Sequence, residues 1–456
     1  MGRYKKSMEL LARLRKVTPG GAQTLSKRSE RFPEGAFPVA LTHGSGPYVF
    51  DVDGNKYLDM ICGLAAMTLG YSRQEVTGAA QYQLSKGVSF SLATELEAEV
   101  AEKISGMVPC AEMVRFVKTG SEATEAAIRI ARKATGRNII LTVGSGYHSW
   151  HSWFQVVKPE HPGIPENYRL MVRSFNYNDL DSVVHAAHGS TVVAGGRGPE
   201  IRDYDWSSIA AVILEPCHYE QPAEGFLEGL RTLCDRYGAV LIFDEMVTGF
   251  RWANGGAQEY FGVTPDLATF GKACANGYPL AFVCGKTDLM QHADVVSGTF
   301  GGEALSLAAC SAVLDVYKTE PIIETLWEMG KQFQDGVNTL IAGLNVPAVC
   351  DGFAVKPRIR FTIGEEFHTA VNWPNGGSIR TDTLALSLFV QVLAERGILW
   401  HPAGGNISAA MTEGDIVLAL LAVRAALESV NRALASGDWS ALKGKPIQTS
   451  NFVRTP

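Results

Sequence analysis

At 456 residues, with 46% hydrophobic and 19% charged side chains, the chain has the composition of a soluble globular protein of about two to three domains. Its net charge of −6 offers no general attraction to nucleic acid or an anionic membrane, and no apolar run approaches the roughly 18 residues of a membrane span. The eight cysteines are scattered without a CxxC pair, which argues against a zinc site or disulfide framework and fits a reducing cytoplasm.

The N-terminal "MGRYKKSMELLARLRKV" reads as a basic amphipathic helix. It lacks the apolar core and cleavage site of a secretory signal. Lys6 stands where a myristoylation site needs serine or threonine. "GPYVFDVDGNKYLDMICG" reads as a hairpin, two alternating stretches around an Asp-Gly-Asn turn. Its "DVDGN" resembles a calcium loop, but the glycine is fourth rather than sixth and no glutamate closes the loop. "EATEAAIRIARKATG" has apolar residues at helical spacing and ends in glycine. "NIILTVGSG" reads as a buried strand. "IAAVILEP" and "AVLIFDE" are continuous apolar runs closed by acids, with the helical "GFLEGLRTLCDRYG" between them. Such strands, separated by helices, imply a parallel sheet covered on both faces, with ligands at the carboxyl ends of its strands. "CGKTD" resembles a P-loop, but Leu280 occupies the place of the first glycine. "GDIVLALLAVRAALESVNRALASG" reads as a long amphipathic helix. The expected architecture is α/β. A large domain with a mainly parallel sheet spans residues 71–315. A smaller α+β domain is built from residues 1–70 and 316–456, and a long helix near 315–340 links the two.

Four features carry chemistry. "KTGSEATEAA" places Gly120 and Ser121 at a helix start, where exposed amides and the helix dipole can receive a phosphate. Alone, this reads as a capped helix with no ligand. "GSGYHSW" follows a strand end and offers Tyr147 for stacking on a flat ring. His148 and His151, with no third ligand and no HExxH context, read as structural or substrate-facing rather than metal-binding. "LIFDE" sets Asp244 at a strand end, where a carboxylate can hold a proton on a pyridine nitrogen or simply pair or cap. In "ATFGKACANG" Lys272 lies in a segment that reads as interior, where a free ammonium is costly to desolvate. A Schiff base removes that cost. Phosphate cradle, aromatic lid, acid and buried lysine are together the parts of a pyridoxal 5'-phosphate (PLP) site.

The stretch "FDEMVTGFRWANGGAQEYFGVTPDLATFGKACANGYPLAF" resembles the core of the class III aminotransferases, of fold type I among PLP-dependent transferases, and most of all the glutamate-1-semialdehyde aminomutase-like group. "TPGGAQT", "GPYVFDVDGNKYLD", "GTFGGEALSLAA" and "ERGILWHPAGGNISAAMTEGDI" extend the likeness over nearly the whole chain. The resemblance implies that Lys272 is the Schiff-base lysine and proton shuttle, and that Asp244 pairs with the ring nitrogen. It implies Gly120 and Ser121 as phosphate donors in the same chain and Thr299 as a phosphate donor from a partner chain. Tyr147 and Met246 are expected on the two ring faces, and Glu215 near the cofactor.

Substrate positions depart from the aminomutase pattern. Thr24 and Lys27 stand nearest to its carboxylate-holding serine and arginine, Glu220 replaces an asparagine, and "GEA" (Glu303, Ala304) replaces "GNP". Thr24, Lys27 and His148 are the expected substrate residues. The reading is a cytoplasmic homodimer with shared active sites and no metal. It transfers an amino group from a small-molecule donor to a carbonyl acceptor, an aldehyde or ketone such as a keto sugar. The alternative is an intramolecular aminomutase.

Overall fold

The structure, a computed structural model, describes residues 2–158, 163–188, 190–195, 198–203, 205–217, 219–362, 370–372, 378–380 and 382–448. The chain divides into two compact units, residues 74–323 and residues 1–73 with 324–456.

The first unit is built on a seven-stranded sheet of β1 (Met113–Val117), β2 (Ile139–Val143), β3 (Val172–Phe175), β4 (Ile209–Leu214), β5 (Val240–Asp244), β6 (Leu267–Phe270) and β7 (Ala281–Gly285). Their order is β1-β7-β6-β5-β4-β2-β3. β7 runs antiparallel to both neighbours and every other adjacent pair is parallel, so β1 to β6 end on one edge.

Helices α1 (Gly120–Thr135), α2 (Leu180–His188) and α3 (Phe226–Tyr237) cover the two faces. Ala211 and Ile213 of β4 and Ile242 of β5 pack with Ala126, Ala127, Ile130 and Ala131 of α1. The intervening Val212, Leu214, Leu241 and Phe243 pack on the other side with Val183 of α2 and Leu227, Leu230 and Cys234 of α3. Each Val, Leu, Ile or Phe among them contributes about 1.5–3 kcal/mol when fully buried. With both faces covered, a polar residue would lose that at either parity, so these strands show no alternation.

The start of α1 is fixed by its cap. Glu122 N–H donates to Thr119 Oγ1 at 3.2 Å, and Thr119 N–H donates back to Glu122 Oε2 at 2.9 Å. Gly136, at φ 67°, ends the helix in the left-handed region that glycine enters without steric cost.

The long helix expected near 315–340 starts at Ile322, after a break in the chain's helical run. α4 (Ala304–Thr319) stops before Pro321, and α5 spans Ile322–Leu344. Proline disfavours helical backbone in the residue before it, and Glu320 is extended (φ −122°, ψ 149°).

In the second unit the hairpin Tyr48–Asp51/Lys56–Asp59 forms as expected, with Phe50 opposite Lys56. Asp51 Oδ1 accepts the amides of Asp53 and Asn55 at 3.0 and 2.7 Å, so this carboxylate of the calcium-loop look-alike holds its own turn. Ile398–Leu399 adds a parallel strand beside Lys56–Asp59, so both ends of the chain build one small sheet. Helices Lys5–Val17 and Glu413–Ser436 belong to this unit. Among the described residues no helix is long and apolar enough to cross a membrane.

Candidate active site

The carboxyl ends of β1, β2, β4, β5 and β6 bring the chemistry-bearing residues to one edge of the sheet. Asp244 closes β5 and is almost wholly buried. Its Oδ2 lies 2.7 Å from His148 Nδ1. Its Oδ1 accepts from Met246 N–H at 3.1 Å and from Thr269 Oγ1 at 3.3 Å. A carboxylate only accepts, so Nδ1 of the imidazole is the donor. His148 Nε2 is buried and, among the described residues, has no hydrogen-bond partner. The ring is further fixed edge-on to Phe154 at 5.1 Å, and the His148 carbonyl accepts from Thr124 Oγ1 of α1 at 2.9 Å.

Lys272 follows β6 through Gly271 and opens the turn Lys272–Ala275. Its φ of +47° is left-handed, which costs a non-glycine residue about 1–2 kcal/mol. The side chain keeps some accessible surface, yet the protein around its ammonium lowers the pKa by desolvation. Asp244 and Glu215 oppose that shift, and Arg251 adds to it. Glu215 stands directly after β4. The Tyr147 hydroxyl is raised in pKa by burial and then by the charges of Asp244 and Glu215. Tyr147, Glu215, Asp244 and Lys272 therefore share one electrostatic neighbourhood.

At the start of α1 the Glu122 carboxylate takes the amides of Lys118 and Thr119 at 2.7 and 2.9 Å. The next two amides, of Gly120 and Ser121, lie in the first turn and have no helical carbonyl ahead of them. Met246 joins this helix start to the lysine turn. A Cβ on Gly120 would lie 2.9 Å from Met246 Sδ, and one on Gly271 would lie 2.8 Å from the same sulfur.

The aminotransferase class-III family matches residues 31–348. The chain belongs to the class III aminotransferases. It is 33% identical over 439 residues to the 3-aminobutyryl-CoA aminotransferase of Cloacimonas acidaminovorans, covering 94% of this chain and 98% of that protein. It is 36% identical over 404 residues to the glutamate-1-semialdehyde 2,1-aminomutase of Syntrophobacter fumaroxidans, covering 84% and 88%. The solved FumI protein of Sphingopyxis sp. MTA144, in its PLP internal aldimine form, superposes with a TM-score of 0.83 at 28% identity, covering 94% of this chain and 97% of that one. The chain is thus a fold type I, PLP-dependent aminotransferase.

The residues of this aminotransferase fit PLP. Two first-turn amides at the positive end of α1 suit a phosphate. A buried carboxylate held on both oxygens suits a ring nitrogen, and a desolvated lysine suits a carbonyl carbon. From sequence, His148 is expected on the substrate side; here it is buried against Asp244, because a carboxylate sunk at a strand end needs donors. Met246 is buried and Tyr147 partly so, both on this edge. Thr299 is exposed, on a loop that lines a cavity of about 570 Å³ together with Lys118 and Glu122. Thr24 and Lys27 are exposed in the other unit, around the turn Leu25–Lys27.

Two residues of this edge are not singled out by the sequence. Lys158 donates to the carbonyls of Gly146 at 2.6 Å and Gly144 at 3.3 Å, holding the turn that presents Tyr147. Burial pulls its ammonium down to about 8, against the field of Glu215. Glu245, wholly buried, accepts the amides of Ala257 at 2.8 Å and Gln258 at 2.9 Å and so fastens the segment carrying Arg251. Burial pushes its carboxyl up to about 7 despite those hydrogen bonds. The only signal for Glu245 is an acid directly beside Asp244, and Lys158 has none.

Proposed function

We propose that the chain transfers an amino group from a small-molecule donor to a carbonyl acceptor, an aldehyde or ketone, with Lys272 as the catalytic residue. Bound PLP supplies an electron sink for the substrate carbanion. Lys272 would hold the cofactor through its amine and would carry the proton that the amino transfer moves. Its lowered pKa favours the neutral amine that both tasks need. Asp244 keeps the ring nitrogen protonated, and His148 orients Asp244. Gly120 and Ser121 donate amides to the phosphate, with the partner's Thr299 adding a hydroxyl. Tyr147 and Met246 flank the ring, and Glu215 sets the local field. Thr24 and Lys27 meet the substrate. The working unit is a cytoplasmic homodimer with shared sites.

The observation that carries this reading is that buried Asp244, held on both oxygens, ends β5 while Lys272 opens the turn that follows the adjacent strand β6. Borohydride reduction of the holoenzyme followed by peptide mapping is expected to find the cofactor on Lys272; a label on another lysine refutes the assignment. An amino donor alone is expected to convert the cofactor absorbance, and a carbonyl acceptor to restore it, in ping-pong fashion. Sustained turnover of one substrate with no second partner identifies an aminomutase instead.

A further inference from the structure

Lys118 is the residue just ahead of the Thr119 cap, and its ammonium reaches two other segments. It lies 2.5 Å from Glu303 Oε1 and donates to Ser306 Oγ at 3.3 Å, both at the start of α4. It also donates to the carbonyl of Pro279 at 3.1 Å, between the Lys272 turn and β7. Glu303 is itself the N-cap of α4, accepting the amides of Leu305 at 2.8 Å and Ser306 at 3.0 Å. It closes the loop that carries Thr299. One charge pair therefore ties together the phosphate end of α1, the exit from the lysine turn and the Thr299 loop.

The pair is well shielded, with 17% of the Lys118 side chain and 8% of the Glu303 side chain exposed. Burial by itself would raise the Glu303 carboxyl. The Lys118 and Ser306 hydrogen bonds and the Lys118 charge outweigh it and hold the group below its usual value. Exposed ion pairs contribute little, but removing one member of a shielded pair leaves the other charge uncompensated, which is costly. The likeness to the aminomutase pattern leads one to expect asparagine at position 303, where this chain carries a carboxylate.

We infer that Lys118 and Glu303 are a positioning pair for the phosphate end of the site, fixing Thr119–Ser121 against both the lysine turn and the Thr299 loop. The inference rests on reading the Gly120 and Ser121 amides as the phosphate donors. Neither side chain of the pair needs to touch the cofactor. Its effect is to stop the two amides from drifting relative to Lys272.

The test uses two ligands, PLP and pyridoxal, which lacks the phosphate, titrated into apoprotein. Glu303→Gln keeps an oxygen to cap α4 and loses the charge; Lys118→Met keeps the stem and loses the ammonium. Both are expected to weaken PLP by about tenfold, with pyridoxal affinity held within about twofold, so that the ratio of the two affinities falls. A proportional loss for both ligands, or no loss for PLP, overturns the pair's role. If Lys118→Met fails to fold, the near-isosteric Glu303→Gln decides by the same ratio. Ser121→Pro separates this inference from the reading beneath it. It removes one first-turn amide that has no helical carbonyl ahead of it. An unchanged ratio in Ser121→Pro overturns the cradle, and the inference with it. A lowered ratio there, with none in the pair variants, overturns the pair alone.

Discussion

Asp244→Asn removes one charge and almost no volume, so its effect is governed by the donors around the carboxylate. Asp244 Oδ1 faces two donors, Met246 N–H at 3.1 Å and Thr269 Oγ1 at 3.3 Å, while Oδ2 faces His148 Nδ1 at 2.7 Å. An asparagine amide must turn its NH₂ toward one side or the other. Toward Met246 it sets a donor against a backbone donor. Toward His148 it forces the imidazole to accept at Nδ1 and carry its proton on Nε2, which is buried without a partner among the described residues. The first arrangement leaves unsatisfied a polar group that the wild type satisfies, at about 1–3 kcal/mol, and the second exchanges a bare nitrogen at Nε2 for a bare N–H. The variant also lacks the charge that keeps the ring nitrogen protonated. Turnover is expected to fall at least about 100-fold, roughly 3 kcal/mol of transition-state stabilisation. The assay is the single-turnover half-reaction with an amino donor, followed by the cofactor absorbance. Cofactor retention is measured in parallel and is expected to persist through the phosphate site. A variant that retains cofactor and reacts at close to the wild-type rate refutes the role given to Asp244.

Mixing Lys272→Ala chains with Thr299→Ala chains under conditions of exchange is expected to restore activity above either parent, because each mixed dimer then has one intact site. With an impaired Thr299→Ala parent and confirmed exchange, no recovery means that Thr299 serves its own chain. His401 offers a pH test in the other unit. Burial, then Lys356 and Arg31, push its imidazole down to about 4, with the Ser26 backbone opposing. The folded state therefore binds the proton later than the unfolded chain, so stability is full above the unfolded value and is lost as pH falls below it. The loss approaches about 3 kcal/mol near pH 4. Urea unfolding at pH 7 and pH 4.5 should show a smaller pH dependence in His401→Asn than in the wild type; equal dependence in the two rejects the assignment.

The elements legible in the sequence are those whose cause is local. The runs around Val212 and Leu241 are apolar at every position because each parity meets a helix-covered face. Gly136 and Gly238 end their helices in the left-handed region, and the first reads as a helix stop. Asp244 and Lys272 stand out because each is anomalous in its own segment, an acid ending an apolar run and an amine within one. The features that stay hidden are held by contacts between distant parts of the chain. His148 and Asp244 are 96 residues apart, and Lys118 and Glu303 are 185 apart. Nothing near His148 tells a reader that its imidazole will serve a carboxylate rather than a substrate. Lys158 looks like an ordinary surface lysine until the Gly144–Gly146 carbonyls close around it. The long helix expected near 315–340 starts later than expected for a local reason: Pro321 stands in plain view and drives the residue before it out of the helical region.

Met246 sits in a slot bounded by Gly120 and Gly271, with its sulfur where either Cβ would come within 3 Å. These three positions, remote in sequence, therefore border a single shared volume. A methyl group at either glycine meets the flexible end of the Met246 side chain, so the thioether has to turn aside to admit it. Position 246 is thus the part of that slot that gives, and a change at either glycine registers there first.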